Sequence, residues 1–370
     1  MQHDLVEETR AAEASEELSV ERRGSLALIT LNRPRALNAL NIAMRRKLAD
    51  AYPRFAREPM NYAVVIQSAG GRAFCAGGDV RELVQLARED KAQARAACAE
   101  EYALNWLHEC FSKPTISLID GPVMGSGVGI TQYGTHRVAG EGYRFAIPET
   151  AIGLFPDVGT AWVLSRLPDS IGVYLALTGR GIGRADVYAL GLLTHCIPAR
   201  HFEEIKTALI ETWPVDTLLD ERHVDPGPRE LAPYASHIDR CFSAPSVEEI
   251  LERLSRIDGP DRAWAQAVIA DLRTRAPLSL KVTHRHIRDA RAFDLRQTLQ
   301  VDYRLACRFL DDRDFYEGVR AALIDKDGAP RWRPERLEDV TPAMVEDYFA
   351  SMGADEMVLP TRQEMQAARV

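Results

Sequence analysis

Residues 114–148 read PTISLIDGPVMGSGVGITQYGTHRVAGEGYRFAIP, and this stretch decides the fold. PTISLIDG is a short apolar run closed by Gly121, the pattern of a buried strand. The glycine turn from Gly125 to Gly129 reverses the chain and opens a helix. HRVAGEGYRFAIP, from His136 to Pro148, gives two more short strands. Strands that return after turns and helices predict an α/β fold with repeated strand–helix units.

The same alternation extends towards the N-terminus. LSVERRG from Leu18 is a strand and turn, and SLALITLN is an apolar strand ending at Asn32. Helical periodicity runs from Ile42 to about Ala56, with Pro53 expected to kink or split its end. AVVIQS from Ala63 is a buried strand, a helix starts near Val80, and Lys91 onwards is a long helical pattern. Towards the C-terminus, GTAWVLSRLP begins another helix, and strand signals fade from about Ile182. Residues 212–233 are rich in Pro, Asp and Glu and read as a connector. VEEILERLSRI, DRAWAQAVIADLRTRA and residues 278–322 are helical. The organisation is therefore a polar tail over 1–17, a core over 18–211, and a connector with a helical module over 212–370.

Composition is that of a globular protein, with 46% hydrophobic and 27% charged residues. Lys and Arg total 46 against 54 Asp and Glu, a net charge of −8. An acidic chain is repelled by nucleic acid and by anionic membrane, so neither is expected as a partner. The best candidate membrane span, Thr115 to Ile130, is broken by Asp120, Pro122 and glycines. Six cysteines without a CxxC pair argue against zinc and disulfides and for reduced thiols. The N-terminus, MQHDLVEETRAAEASEEL, is acidic and unlike a secretory signal or a mitochondrial presequence. A cytoplasmic location is the expectation.

Three constellations carry chemistry. The first is RAFCAGGD, residues 72–79, between a strand and a helix. Paired glycines let backbone N–H groups approach a ligand closely, and a helix start favours negative charge. The plainer reading is a tight turn with Asp79 capping the helix. The second is MGSGVG, residues 124–129. It is no dinucleotide fingerprint, because position 130 is Ile where a third glycine belongs. Two such turns at strand ends form a two-donor oxyanion hole, or are glycines chosen for close packing alone.

The third is IPETAIGLFPDVG, residues 147–159, where Glu149 and Asp157 flank an apolar stretch. Carboxylates in apolar surroundings have raised pKa values and become acids, bases or nucleophiles. The plainer reading makes Glu149 a surface-loop residue and Asp157 the cap of the helix from Gly159. Elsewhere, His284 and His286 point to different helix faces, which disfavours a metal site. Cys75 reads as a buried thiol, and Glu100-Glu101 as a solvated helix face.

NRPRALNAL (residues 32–40), RAFCAGGD, MGSGVG and RFAIPETAIGLFPDVG resemble the crotonase (enoyl-CoA hydratase/isomerase) superfamily. The resemblance runs from about residue 18 to about 350 and includes DFYEGVRA (314–321), LIDKD (323–327) and Trp332. It is closer still to the branch that hydrolyses 3-hydroxyisobutyryl-CoA. It implies a crotonase-like spiral of repeated β-β-α units with a helical C-terminal module. It also implies a coenzyme A thioester as substrate and no metal or redox cofactor. By position, the oxyanion-hole amides are those of Gly78 and Ser126. Arg35, Ala36 and Ala76 lie along the adenine and pantetheine, and Glu101 matches a substrate-contacting Glu. Hydratases of the superfamily carry a second Glu soon after the glycine turn, where this chain has Gly129. The hydrolase branch pairs Glu149 with Asp157.

Two departures bear on the acyl group. Ser126 stands where the branch usually has Gly, and Thr160 and Trp162 interrupt its usual glycine-rich continuation. The expected activity is hydrolysis of a short-chain 3-hydroxyacyl-CoA, most specifically 3-hydroxyisobutyryl-CoA in valine catabolism. The alternatives are an enoyl-CoA hydratase or isomerase of the same fold, and a non-enzymatic CoA-binding scaffold. Superfamily members often form homo-oligomers through their C-terminal helices. Here those helices either do so or fold back on their own core.

Overall fold

The computed structural model describes residues 16–370. Most of the expected polar tail and the acidic N-terminal segment lies outside the described residues. Strands β1 (Leu18–Arg23), β2 (Leu26–Leu31), β3 (Ala63–Ser68), β4 (Thr115–Ile119), β6 (His136–Ala139) and β9 (His195–Cys196) form one sheet. Their order is β1-β2-β3-β4-β6-β9. Only β1 and β2 are antiparallel; every later pair is parallel. A second sheet has the order β5 (Pro122–Met124), β7 (Arg144–Ala146), β8 (Ile182–Gly183).

The chain steps from the first sheet to the second and back. β4 leads straight into β5, and β6 into β7. Earlier turns make the same step without a full strand. Met124 N donates to Cys75 O at 3.0 Å, and Leu40 N to Gly77 O at 2.9 Å. The second layer is thus built from the segments that leave the C-terminal ends of the first layer's strands. This is the α/β fold of repeated strand–helix units expected from the alternation, arranged as the spiral of β-β-α units that the resemblance implies.

Parallel strands are buried on both faces and so read as continuous apolar runs. In β2, Ala27, Ile29 and Leu31 enter the main core, while Leu26 and Leu28 point to the opposite face. That face is covered by Ile205 and Leu209 of the helix Phe202–Ile210, and by Val215, Leu218 and Leu219 of Val215–Asp220. Burying one such side chain contributes about 1.5–3 kcal/mol. These two helices hold the outer side of the sheet.

Three local expectations change. Helix Ile42–Arg57 runs through Pro53 as a single element. Leu48, Ala51, Tyr52 and Phe55 are buried before and after the proline, so packing outweighs one lost backbone bond. β8 and β9 lie at and beyond Ile182, where strand signals fade, because two-residue strands have no periodicity to read. The C-terminal helices share the main apolar cluster with the N-terminal strands. Helix Leu295–Asp311 packs along Lys91–Cys110, and Pro277–Asp289 along Ile171–Thr178. Among the described residues, no helix is long and apolar enough to cross a membrane.

Candidate active site

The two glycine turns are neighbours. Phe74 N donates to Pro122 O at 3.0 Å, which sets the 73–79 turn beside β5. A Cβ at Gly77 would lie 3.5 Å from Met124 O, and one at Gly78 would lie 2.8 Å from Ser126 Oγ. Gly77 has φ +108° and Gly125 φ +45°, conformations that glycine adopts readily. Among the described residues, the amides of Gly78 and Ser126 donate to no protein acceptor. Two amides on neighbouring turns are therefore left without a protein acceptor. Asp79 caps the helix Val80–Glu89 by accepting from Glu82 N, so the capping reading and the turn reading hold together.

Glu149 faces these turns. It begins a short 3-10 turn, Glu149–Ile152, and a Cβ at Gly125 would lie 2.9 Å from its Oε1. Its side chain is buried and Oε2 has no hydrogen-bond partner. Burial pushes its carboxyl up to about 8. The surface-loop reading of Glu149 is thereby overturned.

Asp157 does not cap a helix with its side chain. The N-cap of Thr160–Leu164 is Gly159, and Asp157 Oδ2 accepts from Tyr102 Oη at 3.0 Å. Burial first, then the charges of Glu101 and Glu149, hold Asp157 well above the usual carboxylate range. Glu101 is itself buried and pairs with Arg45, so it is no solvated face. Its neighbour Glu100 is exposed and pairs with Arg46.

The loop carrying Arg35 and Ala36 is tied to Ala76. Ala76 N donates to Leu37 O at 3.0 Å, and the buried Asn38 donates through Nδ2 to Ala73 O at 3.0 Å. Arg33 Nη1 reaches Asp79 at 2.7 Å. Arg35 is exposed and Ala76 half-buried, which leaves this edge open to a ligand. Thr160 Oγ1 donates to the Asp157 carbonyl at 2.7 Å. Trp162 is half-buried under Arg166 with its Nε1 unpartnered. His284 and His286 bond to different groups, Ala244 O and Asp302. Among the described residues, no three His, Cys, Asp or Glu side chains converge as a metal-ligand set.

A sequence profile described as enoyl-CoA hydratase/isomerase matches residues 26–349. The chain belongs to the enoyl-CoA hydratase/isomerase family. It is 41% identical to the mitochondrial 3-hydroxyisobutyryl-CoA hydrolase of Xenopus tropicalis, over 91% of this chain and 89% of that protein. It is 37% identical to the human protein of the same description, over 94% and 92%. A solved carnitinyl-CoA dehydratase from Mycobacterium thermoresistibile superposes with a TM-score of 0.87 at 36% identity, covering 93% of this chain and 99% of that one.

The frog and human members of the family are named as mitochondrial, which overturns the cytoplasmic expectation. The six cysteines are free and buried, and thiols kept reduced suit any reducing compartment, so they never distinguished one from another.

Position 129, where the resemblance leads us to expect a difference between hydratases and hydrolases, is closely packed. A Cβ at Gly129 would lie 2.6 Å from Asn105 Nδ2 and 3.0 Å from Val158 Cβ. No side chain fits there without displacing both neighbours. Four further residues shape the site without standing out in the sequence: Arg45, Tyr102, Asn105 and Asp302. Arg45 sits in a helical pattern where a charged residue reads as solvated. Asn105 does leave a trace, four residues after Glu101 and so on the same helix face. Asp302 reaches Gly159 across 143 residues, a separation no local pattern carries.

Proposed function

We propose that this protein hydrolyses 3-hydroxyisobutyryl-CoA, a short 3-hydroxyacyl thioester, to the free acid and coenzyme A. The observation that carries the reading is Glu149: a buried carboxyl with one oxygen unpartnered, beside two amides without a protein acceptor. In this reading the thioester oxygen lies between the amides of Gly78 and Ser126. One such donor typically contributes about 3–4 kcal/mol to the transition state. Glu149 acts in one of two ways. As a nucleophile, its oxygen bonds to the carbonyl carbon, the C–S bond breaks, coenzyme A leaves as thiolate, and water then cleaves the anhydride. As a general base, it takes a proton from a water that attacks the same carbon and returns that proton to the leaving sulfur.

Asp157 holds the substrate's 3-hydroxyl, and Glu101, fixed by Arg45, contacts the acyl end. Coenzyme A lies along Arg35, Ala36 and Ala76 and enters only as part of the substrate, so no separate cofactor is required. Relatives bearing hydrolase names and the dehydratase-named structure point to different reactions. The packed space around Gly129 favours hydrolysis, because water addition to an enoyl thioester is expected to use a second carboxylate there. An isomerase needs one base, and Glu149 would supply it.

The test is thiol release from 3-hydroxyisobutyryl-CoA beside loss of enoyl absorbance from crotonyl-CoA. Thiol release with little hydration is expected, and Glu149→Gln should lower it at least about 10²-fold. Rapid hydration without thiol release would overturn the reading.

A further inference from the structure

Asp302 is a fully buried carboxylate with two partners, one at a turn of the site and one on the helix Pro277–Asp289. Its Oδ2 accepts the amide of Gly159 at 2.7 Å, and its Oδ1 lies 2.6 Å from His286 Nε2. His286 is equally buried, edge-on to Phe155, and its Nδ1 has no partner. With no acceptor beside Nδ1, Nε2 is the ring nitrogen placed to donate to a carboxylate oxygen. The ring then donates to Asp302 and aims its second oxygen at Gly159.

The turn so held is unusual. Val158 has φ +52° and Gly159 φ +77°, two successive left-handed residues directly after Asp157. A β-branched residue there is a genuine outlier that surrounding contacts must maintain. Tyr133 Oη donates to the Val158 carbonyl at 2.6 Å, and Asp302 takes the next amide. A Cβ at Gly159 would lie 2.3 Å from Tyr133 Oη, so the turn is closed from both sides. None of these groups belongs to the hydrolytic steps described above.

We propose that Asp302, oriented by His286, is the positioning residue for Asp157, pinning the 157–159 turn so that the Asp157 carboxyl meets the 3-hydroxyl of the substrate. The inference rests on the reading of Asp157 as the hydroxyl-holding group. It makes the C-terminal helices Pro277–Asp289 and Leu295–Asp311 part of the specificity apparatus.

The test compares 3-hydroxyisobutyryl-CoA with isobutyryl-CoA, which lacks the hydroxyl. Asp302→Leu should lower kcat/KM for the hydroxylated thioester at least about tenfold, chiefly through KM, and for isobutyryl-CoA by under about threefold. His286→Leu should act likewise and His286→Gln, which restores a donor, should recover most of the loss. The His286 pair carries the comparison if Asp302→Leu does not fold. Equal losses on both thioesters would make the pair merely structural and overturn the proposal. Amide hydrogen exchange of a peptide spanning 155–164 gives an answer independent of turnover. It should quicken in His286→Leu while the peptide covering 63–68 is unchanged, and an unaltered 155–164 peptide would overturn the pinning. If the unmodified protein releases no thiol from either thioester, the functional reading fails, while the exchange measurement still decides whether the turn is pinned.

Discussion

At the residue scale, Ser126 and Glu149 invite direct measurement. The hydroxyl of Ser126 lies beside Gly78, 2.8 Å from where a Cβ at Gly78 would be, so its methylene and hydroxyl flank the two amides. If only its amide serves the thioester oxygen, Ser126→Gly should keep kcat/KM within about tenfold, or about 1.4 kcal/mol. A far larger loss would give the hydroxyl a part in the reaction. In the proposed reaction Glu149 works as nucleophile or base only when ionised. With its carboxyl held near 8, kcat/KM should climb about tenfold per pH unit below that point and level above it. A profile flat between pH 6 and pH 9 would show another group to be in charge. The types and order of these residues were legible in the sequence. Burial was left open: Glu101 reads as a solvated helix face, and Glu149 as either a surface-loop residue or a carboxylate in apolar surroundings, until the folded chain closes over both.

At the element scale, the Glu149 turn is braced from behind. A Cβ at Gly318, in the helix Arg313–Val319, would lie 2.3 Å from the backbone of Ile152. One at Gly153 would lie 2.3 Å from Asp314 O. Helix and 3-10 turn therefore touch backbone to backbone. Gly318→Ala must push the two apart, and we expect a destabilisation of about 1–3 kcal/mol together with reduced thiol release. Denaturant unfolding and the thiol assay check the two effects; unchanged values for both would mean the contact yields freely. The GVRA segment stood out in the sequence, yet nothing local shows that its glycine marks a helix-to-turn contact. The strand–turn–helix elements around Gly77 and Gly125 were legible because glycine spacing and apolar runs are local signals.

At the scale of the whole molecule, function and stability pull against each other through Glu149. Its carboxyl titrates near 8 when folded and near 4.5 ordinarily, so the folded protein holds this proton more tightly than the unfolded chain. The stability this provides is complete below about pH 4.5 and falls by about 1.4 kcal/mol per pH unit up to about pH 8. Glu149→Gln should therefore be more stable than the unmodified protein, by a margin that widens across that window in urea unfolding. A margin independent of pH would contradict the burial argument. The sequence by itself determined the α/β alternation, the two glycine turns and the pair of candidate carboxylates, because each is written in spacing over a few residues. Only the tertiary structure decided that Arg45 pairs with Glu101, that Pro53 leaves its helix whole, and that β9 completes the sheet. It also decided that Asp302 grips the turn beside Asp157. Each of these depends on groups brought together across the chain, where burial and packing set the energies and local pattern carries no record of the partner.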